Sequence, residues 1–147
     1  MNVKNFRLKE IRETQEYTQL EIANKLNIQR GTYASWECGN DIISTKQLYK
    51  LANLYQVSID YLVNLTNVNN LIVNNRPINL TKIGNNLMHI RQTANLSQLQ
   101  IAESIGINQS TWWGYERGKT LITLTSLIAL AQKYNYSIDW ILGRTNE

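Results

Sequence analysis

The stretch YTQLEIANKLNIQRGTYASWECGN (residues 17–40) decides the reading of this chain, because it returns as LSQLQIAESIGINQSTWWGYERGK (residues 96–119). Both segments share a skeleton of Gln-Leu, Ile-Ala, Ile, Thr, Glu and Gly at matched spacing. Working outward, a shift of 79 residues aligns the two halves without a gap, from Ile11 on Ile90 to Asp60 on Asp139 and beyond. About 21 of the 57 positions between Ile11 and Asn67 are then identical, among them Gln19/Gln98, Leu51/Leu130, Tyr55/Tyr134 and Ser58/Ser137. A self-match of that quality at a fixed period marks a duplicated structural unit.

Each copy reads as five short helices. Apolar residues Phe6, Leu8 and Ile11 suggest the first helix of copy one. Thr18 to Glu21 (TQLE) is a capping box that opens the second, and Ser97 to Gln100 (SQLQ) repeats it. Leu20, Ile22, Ala23 and Leu26 are expected to form the buried stripe of helix two. After a turn at Asn27-Ile28, residues 29–37 form helix three, and Gly39 stops it in left-handed backbone. Copy two has Asn108 as the better cap and Gly118 as the stop. Leu48, Leu51, Ala52 and Leu54 mark helix four, and Ser58 caps a fifth helix with Ile59 and Leu62 inward.

The expected architecture is all-α: two five-helix bundles in tandem, at residues 1–67 and 83–147, joined by an extended linker at 68–82. That linker is rich in Asn, holds the single proline, Pro77, and lacks a helical period. Its triplet Leu71-Ile72-Val73 is apolar, which a solvated linker does not need, so it is expected to dock on a domain or pair as a short strand.

Bulk properties narrow the function classes. At 17.0 kDa the chain accommodates two small domains, and no run approaches the roughly 18 to 20 apolar residues of a membrane span. The start MNVKNFRLKE lacks the apolar core of a leader peptide. One cysteine, Cys38, excludes an internal disulfide. Together these point to the cytoplasm. The lone His89 has no Cys, Asp or Glu at metal-ligand spacing, and no carboxylate pair, phosphate loop or nucleophile constellation appears. Neither metal, cofactor nor enzymatic activity is expected. The formal net charge of +4 permits a nucleic-acid partner without demanding one.

Two short helices joined by a tight turn, the second ending in Glu-x-Gly, make a helix-turn-helix, whose second helix presents side chains to the major groove. With YTQLEIANKLNIQRGTYASWECGN and LSQLQIAESIGINQSTWWGYERGK each followed by Ser-Ile-Asp, the chain resembles the Cro/CI (lambda-repressor-like, XRE-type) family twice over, across about residues 5–65 and 84–145. The resemblance implies double-stranded DNA as partner. It places Gln19 and Gln98 on a phosphate while they brace the recognition helix. The second and third recognition-helix positions, Arg30 and Gly31 in copy one and Gln109 and Ser110 in copy two, face base edges, and Gln29 and Asn108 just before them are counted among the DNA-binding residues. A later base-facing position holds Ser35 and Gly114, and Asn40, Arg117 and Lys119 fall where the family touches the DNA backbone. Arg12 with Glu37, and Arg91 with Glu116, match a scaffold ion pair. Glycine reads no base, which sets Gly31 and Gly114 apart.

Side-chain chemistry then suggests two different half-sites. Arg30 can fork onto guanine O6 and N7 and Gln109 onto adenine N6 and N7. Residues 1–67 carry 8 basic and 7 acidic side chains against 7 and 4 in residues 68–147, and copy one has Cys38 and Asp41 after helix three. The C-terminal domain is therefore expected to bind DNA harder. Tyr33 and Trp112 are expected in the core, Trp36 and Tyr115 half-buried. For Trp113, partial burial against a loop competes with contact to a thymine methyl or sugar edge.

These readings describe a transcriptional regulator, a repressor by preference, acting as a monomeric internal pseudo-dimer, with homodimerisation left open. A free linker of about 15 residues would reach roughly 50 Å. The alternative is a protein-interaction module, antitoxin- or anti-repressor-like, in which one domain binds a protein instead of DNA. A protein inducer or anti-repressor is the partner expected if the activity is relieved.

Overall fold

The computed structural model describes residues 6–146, so the terminal residues 1–5 and 147 of the two expected domains lie outside it. Ten helices are present among the described residues: α1 Leu8–Thr14, α2 Gln19–Leu26, α3 Arg30–Cys38, α4 Thr45–Tyr55, α5 Ile59–Leu62, α6 Leu80–Thr93, α7 Gln98–Ser104, α8 Gln109–Glu116, α9 Leu124–Tyr134 and α10 Ile138–Ile141. They divide into two compact units, with the boundary between Asn75 and Arg76. Each unit is a bundle of five helices, and no helix is long and apolar enough to cross a membrane.

Local chemistry explains the breaks between helices. Thr18 Oγ1 accepts from the Glu21 amide at 3.1 Å while Glu21 Oε1 accepts from the Thr18 amide at 3.1 Å, a reciprocal cap on α2. Ser97 and Gln100 repeat the arrangement on α7. Ser44, Ser58, Thr123 and Ser137 cap α4, α5, α9 and α10. The turn entering α3 passes through left-handed Asn27 (φ 57°), the matching turn through Gly106 (φ 76°). These are residue types that tolerate that conformation.

The core of the N-terminal unit gathers Leu8, Ile22, Ala23, Tyr33, Leu51, Ile59 and Leu62, and that of the C-terminal unit Leu87, Ile90, Ile101, Ala102, Trp112, Leu130 and Ile138. Leu20 departs from its expected place: it is 54% exposed, and its counterpart Leu99 is 47% exposed. Ile22, Ala23 and Leu26 share one face of α2, and a residue two places before Ile22 lies about 200° around the helix. Trp36 and Tyr115 are more deeply buried than expected, at 8% and 5% exposure.

The segment between the repeats is not a free tether. Val57 and Leu71 form an antiparallel bridge, and the Ile72 amide donates to Gln56 O at 3.1 Å. Asn74 is buried and donates to the Tyr49 hydroxyl at 2.8 Å. Leu71 and Val73 point outward at 76% and 60% exposure, the alternation of an extended strand. Further on, Asn79 Oδ1 caps α6, which begins at Leu80, inside the stretch read as linker. The reach of roughly 50 Å required every one of those residues to be free.

Candidate nucleic-acid interface

In both units the first two helices hold the third through a buried carboxylate. Glu37, at the end of α3, receives Arg12 Nε on Oε1 at 2.6 Å and Arg12 NH2 on Oε2 at 3.2 Å. Gln19 Nε2, at the start of α2, donates to Oε2 at 2.9 Å. Glu116 is held in the same way: by Arg91 through Nε and NH2, and by Gln98 Nε2 at 3.0 Å. Trp112 Nε1 adds a bond to Glu116 Oε1 at 2.7 Å. In the N-terminal unit Tyr33 replaces that tryptophan, with its hydroxyl buried and outside hydrogen-bonding geometry.

Burial alone would push the Glu37 carboxyl up, but the hydrogen bonds from Arg12 and Gln19 outweigh it and leave the group below the usual carboxylate range. Glu116 follows the same balance, with Arg91, Gln98 and Trp112 against burial. The hydrogen bond to Glu37 raises the Arg12 guanidinium against the opposing effect of its burial. Each brace is a partly buried ion pair whose carboxylate is held by two or more hydrogen bonds.

Behind the brace, the inner side of each third helix is closed by Tyr33 and Trp112, both at 0% exposure. On the outer side, Gln29, Arg30 and Gly31 are exposed, as are Asn108, Gln109 and Ser110. Arg30 NH1 donates to Gln19 Oε1 at 3.0 Å, so a chain of bonds runs from Arg12 through Glu37 and Gln19 to the Arg30 guanidinium. Gln29 occupies the N-cap of α3 without a side-chain cap bond, while Asn108 Oδ1 accepts from the Thr111 amide and from Ser110 Oγ, both at 2.8 Å. Gly31 has open space where a Cβ would stand.

The later positions differ from the expected base-facing pair. Ser35 is half-buried and its hydroxyl donates to Asp41 Oδ2 at 2.7 Å. Gly114 is buried, and a Cβ there would stand 3.2 Å from Thr120 Oγ1. The turn after helix three closes over both: Asn40 and Asp41 amides reach Ser35 O, and Lys119 and Thr120 amides reach Gly114 O. Gly114 therefore supports this turn and does not stand open toward a groove. Asn40, Arg117 and Lys119 are exposed. Trp113 is 43% exposed, with the Arg117 guanidinium 5.5 Å from its ring centroid, a cation–π spacing.

His89 meets Trp140 edge-on at 5.8 Å, and the exposed Cys38 thiol donates to Ser35 O. No group of three or more His, Cys, Asp or Glu able to hold a metal exists among the described residues. One contact had no signal in the sequence. A Cβ on Gly84 of α6 would lie 2.4 Å from Glu116 O, so the α6 and α8 main chains meet there.

Comparison with known proteins follows this geometry. The family profile described as helix-turn-helix matches residues 8–62 and again 87–141. The chain is 39% identical over 61 residues to a Bacillus subtilis protein named uncharacterized HTH-type transcriptional regulator YobD, covering 42% of this chain and 54% of that one. It is 47% identical over 57 residues to the HTH-type transcriptional regulator ImmR of Bacillus subtilis, covering 39% and 45%. It is 36% identical over 63 residues to the cryptic phage CTXphi transcriptional repressor RstR of Vibrio cholerae, covering 43% and 56%. The chain spans about half the length of the curated relatives it matches.

Proposed function

This chain belongs to the helix-turn-helix family, and from that premise we propose that it is a sequence-specific regulator of transcription, a repressor, which reads double-stranded DNA with two non-identical units. The observation that carries the proposal is the two-sided third helix in each unit. Its inner face is sealed by Tyr33 or Trp112 and its end is braced through Glu37 or Glu116, while Arg30 and Gln109 stand exposed at its start. A rigid helix with one open polar face is what major-groove reading requires. The regulators and the repressor among its relatives support the same function.

In this mechanism Arg30 reads guanine and Gln109 reads adenine, each in a separate half-site, and Arg117 and Lys119 neutralise phosphates. The covalent link makes binding of the second unit intramolecular once the first is bound, so modest single-unit affinities multiply. A single chain then acts as a pseudo-dimer in the cytoplasm, and relief of repression falls to a protein inducer or anti-repressor.

The test is selection of duplexes from a random pool by the full chain and by its Arg30→Ala and Gln109→Ala variants. Each variant relaxes preference at its own half-site, by about 1–3 kcal/mol of discrimination at one base pair. Identical losses in both variants, or a wild-type chain that enriches no duplex, would rule the proposal out.

A further inference from the structure

The turns after α3 and α8 have the same main-chain form and opposite electrostatics. In both, two successive amides converge on the carbonyl of the sixth residue after the N-cap, Ser35 or Gly114. The left-handed glycines Gly39 (φ 78°) and Gly118 (φ 67°) precede them. Three side chains then fall in register: Cys38 with Arg117, Asn40 with Lys119, and Asp41 with Thr120. The C-terminal unit carries two positive charges at these positions and the N-terminal unit one negative charge. Asp41 is exposed, and the Ser35 hydroxyl is directed onto its Oδ2 at 2.7 Å.

We infer that Asp41 is a specificity-determining residue of the N-terminal unit, one that weakens its hold on the phosphate backbone and withdraws Ser35 from reading. This inference rests on the DNA-binding function proposed above. Its carboxylate stands in register with Thr120, directly after the position where the other unit carries Lys119, and its bond to Ser35 occupies the one hydroxyl on the later part of the reading face. What remains to the N-terminal unit is Arg30, fixed by Gln19. The labour is thereby divided. The C-terminal unit supplies sequence-independent attachment through Arg117 and Lys119, and the N-terminal unit adds discrimination with little general affinity of its own. Because phosphate contacts dominate non-specific binding, a unit stripped of them contributes mainly where its base contact is satisfied.

The experiment uses the full chain, a duplex enriched by the wild type, and a scrambled duplex of equal length. Asp41→Asn keeps an acceptor for Ser35 and removes the charge, Asp41→Thr copies the other unit, and the triple variant Cys38→Arg, Asn40→Lys, Asp41→Thr transplants the whole turn. Asp41→Asn is expected to tighten binding roughly fivefold at about 50 mM salt, with the gain shrinking as salt rises. The triple variant is expected to bind the scrambled duplex at least about tenfold more tightly and to steepen the plot of log affinity against log salt by nearly 2, for two added phosphate contacts. If the wild type binds DNA in a salt-dependent way and all three variants stay within twofold of it at every salt concentration, Asp41 is a bystander and the inference is wrong while the DNA-binding function stands. If the wild type binds neither duplex, both fall together.

Discussion

Replacing Gly84 with alanine sets two effects of opposite sign against each other. Helix propensity alone favours the substitution, by about 1 kcal/mol in a helix interior. Against this, the added Cβ would sit 2.4 Å from Glu116 O and 3.0 Å from both Glu116 C and Tyr115 O. All three are main-chain atoms, so no rotamer change relieves the contact. The α6 and α8 main chains must separate by roughly 0.6 Å to reach even a 3.0 Å approach. Overpacking of this kind costs about 1–3 kcal/mol, and a main-chain obstacle belongs at the upper end, leaving a net loss of about 2 kcal/mol. For a unit of this size that corresponds to a melting temperature roughly 10 °C lower.

Trp112, Trp113 and Trp140 all lie in the C-terminal unit and Trp36 alone in the other, so tryptophan fluorescence in a urea titration follows the affected unit. Gly31→Ala, in the N-terminal unit, is the control, followed in the same titration by far-UV circular dichroism. Open space surrounds its Cβ position, so this variant gains stability, by up to about 1 kcal/mol. A Gly84→Ala protein whose midpoint rises in parallel with Gly31→Ala would refute the reasoning, because the close approach would then carry no cost.

Two further outcomes are expected. Glu37 and Glu116 are held below the ordinary glutamate value, about 4.3, so the stability they contribute is complete above that value and is lost as pH falls through their folded values. Urea midpoints measured from about pH 7 down to about pH 3 should fall across that window in the wild type and fall less in a Glu37→Gln, Glu116→Gln double variant; a flat wild-type profile contradicts this. On α2, Leu20→Ser should change stability by no more than about 0.5 kcal/mol and Ile22→Ala should cost about 2–5 kcal/mol, since the first side chain is 54% exposed and the second 0%. Equal losses by chemical denaturation would place Leu20 in a contact the bundle does not contain.

What the sequence made legible was local. The capping pairs Thr18–Glu21 and Ser97–Gln100 act within one turn of helix, and Gly39 and Gly118 act at a single dihedral, so each leaves a mark at fixed spacing. The duplication then let one half check the other. Leu20 departs from the expected stripe because an apolar residue beside a buried stripe resembles a member of it until the 100° step of the helix is applied. Asn74 and Gly84 were opaque for a different reason. An Asn among many Asn residues does not announce a bond to Tyr49, and a glycine inside a helix does not reveal which main chain crosses it. The Ser35–Asp41 bond lies between these cases: Asp41 stood out as an acid among expected bases, but its grip on the hydroxyl depends on the fold of the turn.

The brace behind each third helix also bears on how such a protein changes over generations. Arg12, Glu37 and Gln19, like Arg91, Glu116 and Gln98, fix the rod from its hidden side and at its end, leaving the residues that confront a new target outside the joinery. After duplication, the exposed letters could drift toward separate targets without loosening either chassis. Retargeting this chain by design should follow the same route, with the hidden joinery kept and the outward letters rewritten.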